Sequence, residues 1–487
     1  MPLAKLPEPD REVISRRDAI INDLIQLIGA EAVIADEEGR RTFEADALSG
    51  YRCLPLAVVL PRSTDEVSKL LKYCHQNRIK VVPRGAGTSL CGGALPAEDA
   101  IVIGISRMTR LIETDFVNRT ISVETGITNL AVTEAVSTEG FFYAPDPSSQ
   151  LACTIGGNLA MNSGGAHCLK YGVTTNNVLG VRMVMMDGEV VEIGGPHLDA
   201  EGYDFLALIV GSEGQFGIIT EATLRILPKP PAAWPILFGF ASSEAAGRCV
   251  AAIIAAGVIP VAIEFMDKPA IEVAEAYAKA GYPLDVEALL IVEVEGFEEE
   301  IARLQRDIVE IAKGFHPKVI DASTSAEHSE RIWKGRKAAF GAMGRISDYY
   351  CMDGVIPLSR LAEVLAEIAH ICAHHRLKVA NVFHAGDGNL HPLILYDGNN
   401  EDETLRAELA GADILKVCVA AGGCLTGEHG VGVEKRDLMG AQFTASDLAV
   451  QMRIKSVFDP GWLLNPGKVF PLDVGGPAAV AATDQAA

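Results

Sequence analysis

The sequence lacks three features that would each assign it to a class of protein. Its ten cysteines never occur as Cys-x-x-Cys, the spacing of zinc ribbons and bacterial iron–sulfur sites, so neither site is expected. Basic residues are scarce, with 42 Lys and Arg against 64 Asp and Glu, and the net charge of −22 opposes nucleic-acid binding. The longest apolar run, residues 250–263, is shorter than the roughly 20 residues of a membrane-spanning helix.

These absences also bear on location. The N-terminal residues MPLAKLPEPDREVISRR contain no apolar segment typical of a secretion signal. Single, scattered cysteines suit a reducing compartment. We therefore expect a cytoplasmic protein that contacts a membrane at most peripherally.

The chain has enough apolar residues for a large core. They make up 49% of its 487 residues, and this length suggests two or three domains. Apolar residues at helical spacing predict a helix within residues 10–30. A strand at 57–60, a helix at 65–77 and a strand at 79–82 then form a predicted β-α-β unit.

The pattern changes along the chain. Short strands with glycine turns dominate residues 101–230, and a single helix at 128–139 interrupts them, which favours an α+β domain over regular alternation. The segment LPKPPAAWP, residues 227–235, contains four prolines and predicts a domain boundary. Beyond it, predicted strands (237–240 and 289–295) alternate with predicted helices (243–256, 298–313 and 359–375).

Four glycine-rich segments fall between residues 83 and 220: PRGAGTSL, TIGGN, NSGG and GSEGQFGIIT. Glycine permits positive φ and close approach of a ligand, and successive backbone N–H groups can bind a pyrophosphate. The first segment alone is weak evidence, since ordinary turns also use glycine and position 90 is Leu where the G-x-G-x-x-G fingerprint needs glycine. Together the four segments predict a narrow slot for a planar ligand that carries phosphate.

These segments, together with APDPSS and a C-terminal NPGKV (465–469), resemble the vanillyl-alcohol-oxidase, or PCMH, type of FAD-binding fold. Within it the chain is similar to the family of glycolate oxidase flavin subunits, D-lactate dehydrogenases and D-2-hydroxyglutarate dehydrogenases. The resemblance covers about residues 45–470 and implies an α+β protein, in which a two-part FAD-binding domain is joined to an α+β substrate (cap) domain. It implies non-covalent FAD, because Thr88 lies where some relatives attach the flavin through a His.

The resemblance divides the chain into five predicted segments: an N-terminal helical segment (1–45), the FAD-binding domain (46–230), the substrate domain with a histidine hairpin (231–423), a C-terminal return segment (424–470) and a disordered tail (471–487). It assigns FAD binding to the following residues: Pro83, Arg84, Gly85, Ala86, Gly87, Thr88, Ser89, Pro147, Ser148, Thr154, Gly156, Gly157, Asn158, Ser163, Gly164, Gly165, Glu213, Gly217, Ile218, Ile219 and Asn465.

Two histidines flank a candidate hairpin in VFHAGDGNLHPLIL. Asp-Gly favours a two-residue turn. A turn at Asp387 and Gly388 would place His384 directly opposite His391, with Cβ atoms about 4.5–5.5 Å apart. Two imidazoles at this spacing can bind one metal ion. The alternative is a histidine pair that only packs or hydrogen-bonds.

The segment TGEHGVG places Glu428 and His429 between glycines. A Glu428 carboxylate would complete a site of two His and one carboxylate with open positions for a substrate. On its own, a Glu-His pair is more typical of a solvated turn. The resemblance makes Glu428 the third ligand of a divalent metal (Zn, Mn or Fe) and His429 the catalytic base.

The resemblance implies oxidation of a small 2-hydroxy acid, glycolate or D-lactate, to the 2-oxo acid. His429 would take the hydroxyl proton with help from the metal, and the hydride would pass to flavin N5. Because this role needs a neutral imidazole, activity is expected to rise with pH as His429 loses its proton.

Arg336, in RIWKGRK, is a candidate clamp for the substrate carboxylate, because a guanidinium binds carboxylates in a bidentate manner. The alternative is a solvated basic helix face. Relatives that oxidise 2-hydroxyglutarate carry further polar residues where this chain has Phe340 and Cys351, and Leu393 follows His391 closely. These three residues favour a small substrate.

Two other functions stay open at this point: a dehydrogenase for D-lactate or, less favoured, D-2-hydroxyglutarate, and a metal-dependent hydrolase without flavin. The chain has no iron–sulfur spacing, so electrons from an oxidised substrate must leave it. The resemblance implies two partners, a second flavin-fold subunit and an iron–sulfur subunit, through which the protein would contact the inner face of a membrane.

Overall fold

The computed structural model describes residues 5–197 and 202–473 and divides them into two compact units. Unit A comprises residues 5–164, 173–197, 202–228 and 428–473. Unit B comprises residues 165–172 and 229–427. The chain thus leaves unit A within the proline-rich segment 227–235 and returns to it at Glu428. Most of the predicted tail, residues 474–487, lies outside the described residues.

Unit A contains two main sheets. The first has four strands in the order Val33–Ile34, Ala57–Val59, Ala100–Gly104, Lys80–Arg84, and the last three are parallel. The second has five antiparallel strands in the order Leu111–Asp115, Thr120–Glu124, Ile218–Arg225, Val178–Val184, Val190–Gly194. A short pair joins Phe141–Phe142 to Leu227–Pro228.

The helices of unit A are Arg11–Ser15, Arg17–Ile28, Glu37–Arg41, Thr64–Gln76, Asn129–Val136, Ile155–Met161, Phe205–Ile209, Met439–Gln442 and Ala445–Phe458. The predicted β-α-β unit is confirmed, with its helix at Thr64–Gln76. Its apolar face packs on the four-stranded sheet through Val67, Leu70 and Leu71. The predicted N-terminal helix is instead two helices that break at Arg16.

Unit B is built on one antiparallel sheet of seven strands, in the order Val319–Ala322, Ala232–Phe240, Ala288–Gly296, Ala262–Asp267, Lys378–His384, Pro392–Tyr396, Asp348–Cys351. Its helices are Cys168–Tyr171, Ser243–Ala255, Lys268–Ala278, Glu298–Lys313, Ala326–Met343, Leu361–His374 and Glu401–Ala420. The sequence predicted the helices near 243–256, 298–313 and 359–375, but nothing in it indicated that residues 165–172 leave unit A.

The histidine hairpin has a different register from the predicted one. Asn381 pairs with Pro392, and His384 pairs with Asn389 rather than with His391. The turn therefore has four residues, 385–388, and the two-residue turn was wrong. The partner of each residue moves by two positions, which preserves the face of the sheet to which each side chain points. The two histidines are consequently diagonal neighbours on one face, within reach of each other.

A half-buried carboxylate at the end of the strand Ala262–Asp267 is hydrogen-bonded to the first strand of this hairpin. Asp267 accepts hydrogen bonds from the backbone and side-chain nitrogens of Asn381, at 2.9 and 2.7 Å, and begins the helix Lys268–Ala278 by accepting from Ala270 N. Burial raises the pKa of Asp267 from its ordinary 3.8 to about 6, although these hydrogen bonds oppose the shift. The charged form of Asp267 is therefore less stable in the folded protein than in water.

Asp267→Asn should accordingly change how stability depends on pH. Because the pKa of Asp267 is higher in the folded than in the unfolded protein, protonation of Asp267 stabilises the wild type at low pH. This contribution to the free energy of unfolding is fully present below the unfolded-state pKa of 3.8 and is lost as the pH rises through about 6. The free energy of unfolding of the variant, relative to the wild type, should rise by about 1.4 kcal/mol between pH 5 and pH 8, because the folded-state pKa of about 6 lies one unit above pH 5. Thermal melts across this range measure the difference, and a constant difference would contradict the prediction.

Within residues 5–197 and 202–473, no helix combines the length and the apolar character needed to cross a bilayer.

Candidate active site

The glycine-rich segments of unit A converge. Gly85 directly follows the carboxyl end of the parallel strand Lys80–Arg84, where ligands of such sheets commonly bind. A Cβ at Gly85 would collide with the hydroxyl of Thr154, which begins the helix Ile155–Met161 by accepting from Gly157 N at 3.2 Å. Gly87 has a φ of +76°, which side chains rarely adopt. The backbone at this point therefore requires glycine.

The fourth segment and the C-terminal NPGKV join the same cluster. Asn465, of NPGKV, donates from Nδ2 to the carbonyls of Gly93 and Glu213, at 3.0 and 2.7 Å. Gly214 has a φ of +71°, and a Cβ there would lie 3.3 Å from Pro83. Segments far apart in sequence thus share one set of close backbone contacts. This arrangement fits a bound ligand that the backbone approaches closely, as FAD binding requires.

Other predicted FAD residues make local contacts within unit A. Asn158 is buried and accepts from Asn129 Nδ2 at 3.0 Å. Gly217 lies against Met183 at the start of the strand Ile218–Arg225, which contains Ile218 and Ile219. Pro147 accepts from Gln150 N in the loop that also contains Ser148.

Two predicted FAD residues have side chains engaged within the protein. The guanidinium of Arg84 is buried and donates to the carbonyl of Ala45 at 2.9 Å. The carboxylate of Glu213 accepts from the backbone of Val431 and Gly432, at 2.7 and 2.8 Å. Burial raises the pKa of Glu213, against the opposing effect of these two amides. Its side chain therefore holds the segment that follows His429.

The loop that carries Glu428 and His429 is fixed from two sides. Gly164 N donates to Glu428 Oε2 at 3.0 Å, so the NSGG segment orients this carboxylate. On the other side, Gly430 has a φ of +89° and is followed by the two amides that Glu213 binds. The TGEHGVG segment is therefore a held loop rather than a solvated turn. Gly165, the last residue of NSGG, belongs to unit B, because residues 165–172 are part of that unit.

In unit B the two histidine rings are 5.3 Å apart between centroids and perpendicular, at 88°. His384 Nδ1 lies 2.7 Å from Glu264 Oε1, and His391 Nδ1 lies 3.1 Å from the carbonyl of Met352. A carbonyl only accepts hydrogen bonds, so His391 must carry its proton on Nδ1. The same holds for His384 if Glu264 is ionised. Each ring then offers the lone pair of Nε2, the state that a metal ligand requires.

Glu264 is ionised because of its neighbours. It lies on the strand Ala262–Asp267, opposite His384, and only 1% of its surface is exposed. Burial alone would raise the pKa of Glu264, but the Arg336 guanidinium and the His384 ring reverse the effect and hold it below its usual value. Arg336 contacts Glu264 Oε2 through Nε at 2.8 Å and through its terminal nitrogen at 2.6 Å.

Arg336 is therefore not on a solvated basic helix face, the alternative considered above. Its side chain points inward from the helix Ala326–Met343 and is 8% exposed, with Phe340 beneath the guanidinium at 5.7 Å. One of the three residues that favoured a small substrate loses its weight, because Leu393 belongs to the apolar core of unit B and has no exposed surface. Cys351 also contacts this core, but its sulfur lies within 4.8 Å of a ring nitrogen of His391. Phe340 and Cys351 therefore remain.

Sequence reasoning missed Glu264 and Asp353. Glu264 is a charged residue within the apolar strand sequence AIEFMD, and this was the signal that could have revealed it. Asp353 accepts from the Thr426 hydroxyl at 2.5 Å and from Gly427 N at 3.0 Å, which fixes the last residues of unit B. No pattern near Asp353 indicates this role.

Two family models match this chain. The family model described as the FAD binding domain matches residues 55–194, and the model of FAD linked oxidases, C-terminal domain, matches residues 229–469. The solved structure of p-cresol methylhydroxylase with substrate bound covers 96% of this chain and 98% of its own, with a TM-score of 0.81 at 16% identity. This likeness shows the two-part FAD-binding fold.

Curated relatives share more sequence. Glycolate oxidase subunit GlcD of Escherichia coli K12 is 47% identical over 446 residues, which cover 91% of this chain and 89% of the relative. A D-lactate dehydrogenase of Archaeoglobus fulgidus is 33% identical, covering 85% of this chain and 90% of its own. These matches rule out the flavin-free hydrolase. The chain belongs to the family of FAD-linked oxidases that contains glycolate oxidase subunit GlcD and D-lactate dehydrogenases, and it is an FAD-binding oxidoreductase that acts on 2-hydroxy acids.

Proposed function

We propose that the chain oxidises glycolate to glyoxylate with the aid of FAD and one divalent cation, and that D-lactate is a secondary substrate. The observation that carries this proposal is the matched state of His384 and His391. Both rings contact acceptors of unit B through Nδ1, so Nε2 is the nitrogen through which each would ligate a cation. The 47% identity to a glycolate oxidase subunit supports glycolate as the first substrate to test.

His384, His391 and Glu428 would hold the cation. Two imidazoles and one carboxylate leave coordination positions open for the hydroxyl and carboxylate oxygens of a 2-hydroxy acid. When bound, such a cation supplies Lewis-acid polarisation, which favours loss of the hydroxyl proton. FAD, when bound, accepts the hydride from the substrate Cα.

Two further side chains would act on the substrate directly: His429 and Arg336. His429 accepts the hydroxyl proton, and the hydrogen bonds of Glu213 to Val431 and Gly432 keep the following backbone in place while it does so. Arg336 binds the substrate carboxylate. Its contacts with Glu264 occupy Nε and one terminal nitrogen, and a guanidinium has five N–H donors in all, so donors remain for a carboxylate.

Phe340 supports a small substrate. Its ring lies 6.5 Å from the His391 ring and beneath Arg336. An apolar ring at this point offers nothing to a second carboxylate, whose desolvation would go uncompensated. D-2-hydroxyglutarate is therefore disfavoured, whereas glycolate and D-lactate differ by one methyl group, worth about 1–3 kcal/mol.

Electrons would leave through partners. The relative with the highest identity quoted above is named as a subunit, and we propose that this chain also works with a second flavin-fold subunit and an iron–sulfur subunit. Peripheral contact of a cytoplasmic protein with the membrane would then depend on those partners.

The test is anaerobic reduction of the bound FAD in the purified chain, followed by its visible absorbance. Glycolate should bleach the oxidised-flavin bands fastest, D-lactate more slowly, and L-lactate and D-2-hydroxyglutarate least. Dithionite, added last, shows that the flavin is reducible. FAD that dithionite bleaches but neither glycolate nor D-lactate does would overturn the proposal. Fastest bleaching by D-2-hydroxyglutarate would overturn the assignment of a small substrate.

A further inference from the structure

Glu264 connects two side chains to which the proposed function gives different tasks. Its Oε1 lies 2.7 Å from Nδ1 of His384, a proposed cation ligand, and its Oε2 lies 2.6 and 2.8 Å from two nitrogens of Arg336, the proposed carboxylate clamp. The strand pairing of Glu264 with His384 sets the first contact, and the inward-facing helix Ala326–Met343 brings the second. One buried carboxylate thus uses both of its oxygens.

The geometry of these contacts constrains both partners. A carboxylate that accepts from His384 Nδ1 fixes the plane of the ring and keeps the lone pair on Nε2. On its other oxygen it holds the Nε edge of Arg336, so the opposite edge of the guanidinium is the one presented to a ligand. If Glu264 served only to neutralise the buried Arg336, its contact with Arg336 would suffice and the contact with His384 would not be needed.

We propose that Glu264 is a positioning residue that couples cation binding to carboxylate binding. It orients His384 and Arg336 together, so that the bound cation and the clamp approach the hydroxyl and carboxylate ends of one small 2-hydroxy acid in a fixed relation. The inference rests on the proposed function, since it takes its two partners to be a cation ligand and a substrate clamp.

Glu264→Gln tests this role without a change in size. The amide keeps one acceptor oxygen, so it serves one partner at most. If its NH₂ group faces His384, Nδ1 becomes an acceptor and the proton moves to Nε2, where it opposes cation binding. If the NH₂ group faces Arg336, two donors oppose each other and the guanidinium moves away.

The expected result is weaker binding of both ligands. Titration of Zn²⁺ and Mn²⁺ against a chromophoric chelator should show a cation affinity about 10–100-fold lower than that of the wild type, the range typical of an outer-shell partner. The KM for glycolate should rise about tenfold at saturating cation, and FAD content should stay unchanged. If Glu264 formed only a structural ion pair, the Glu264→Gln variant would have a lower melting temperature but the cation affinity of the wild type.

Glu293→Gln is the matched control. Glu293 is a buried glutamate on the neighbouring strand Ala288–Gly296, with hydrogen bonds to Trp333 Nε1 at 2.7 Å and to a ring nitrogen of His167 at 3.3 Å. These hydrogen bonds involve neither His384 nor Arg336, the two partners of Glu264. Its replacement should lower stability and leave cation affinity and KM near their wild-type values.

The outcomes separate this inference from the proposed function. A wild-type chain that binds neither cation stoichiometrically overturns both. A wild-type chain that binds a cation, beside a Glu264→Gln variant of equal affinity and KM, overturns the coupling alone. Should Glu264→Gln fail to fold, Glu264→Asp keeps the charge but withdraws the carboxylate by one methylene. It should still weaken cation binding, and wild-type affinity in that variant would count against positioning.

Discussion

Replacing His429 with alanine should slow the reduction of FAD by bound glycolate by about 10²–10⁴-fold, the usual contribution of a general base. The backbone around His429 is held independently of the imidazole. Gly164 N binds the carboxylate of Glu428, and Glu213 binds the amides of Val431 and Gly432. Loss of the ring should therefore leave the loop, and the FAD content, intact.

Single-turnover reduction at saturating glycolate, followed by stopped flow, measures this effect apart from substrate binding. In the wild type the rate should rise with pH as His429 loses its proton, and in the variant this dependence should disappear. A decrease of less than tenfold, or an unchanged pH profile, would show that another group takes the hydroxyl proton. The ratio of FAD to protein serves as the control for folding.

Motif spacing supplied the candidate site residues, but it predicted the wrong register for the histidine hairpin. Asp-Gly favoured a two-residue turn between His384 and His391, but the strand pairing requires four residues. The conclusion that both histidines share a face survived because the error was an even number of positions. An error of one position would have separated them. Parity along a strand is thus more robust than exact pairing.

Contacts between residues far apart in the chain were not predicted from the sequence. Glu213 lies in a glycine-rich motif and was grouped with the FAD residues, yet its carboxylate reaches residues more than two hundred positions away. Glu264 has no motif at all, and its role depends on a strand register and a helix orientation that local patterns do not encode. Which side chain orients another depends on tertiary contacts, so sequence patterns indicated the candidate cation ligands but not the carboxylate that contacts one of them.

Replacing His384 with glutamine should reduce the affinity for Zn²⁺ or Mn²⁺ by more than 100-fold, beyond the effect typical of an outer-shell partner, and should abolish reduction of FAD by glycolate. FAD itself should be retained, because the glycine segments around Gly85, Gly157 and Gly214 belong to unit A, whereas His384 belongs to unit B. His375→Gln is the matched control, since His375 also faces a carboxylate of unit B, Asp413, at 3.1 Å. Metal analysis of both variants after dialysis, with chelation and re-addition of cation to the wild type, decides the question.

If chelated wild-type protein keeps full activity, or if His384→Gln retains its cation, the histidine pair does not hold a metal in this enzyme. In that case the Nδ1 contacts of both rings would serve only to pack the hairpin, and His429 would have to take the proton without Lewis-acid help.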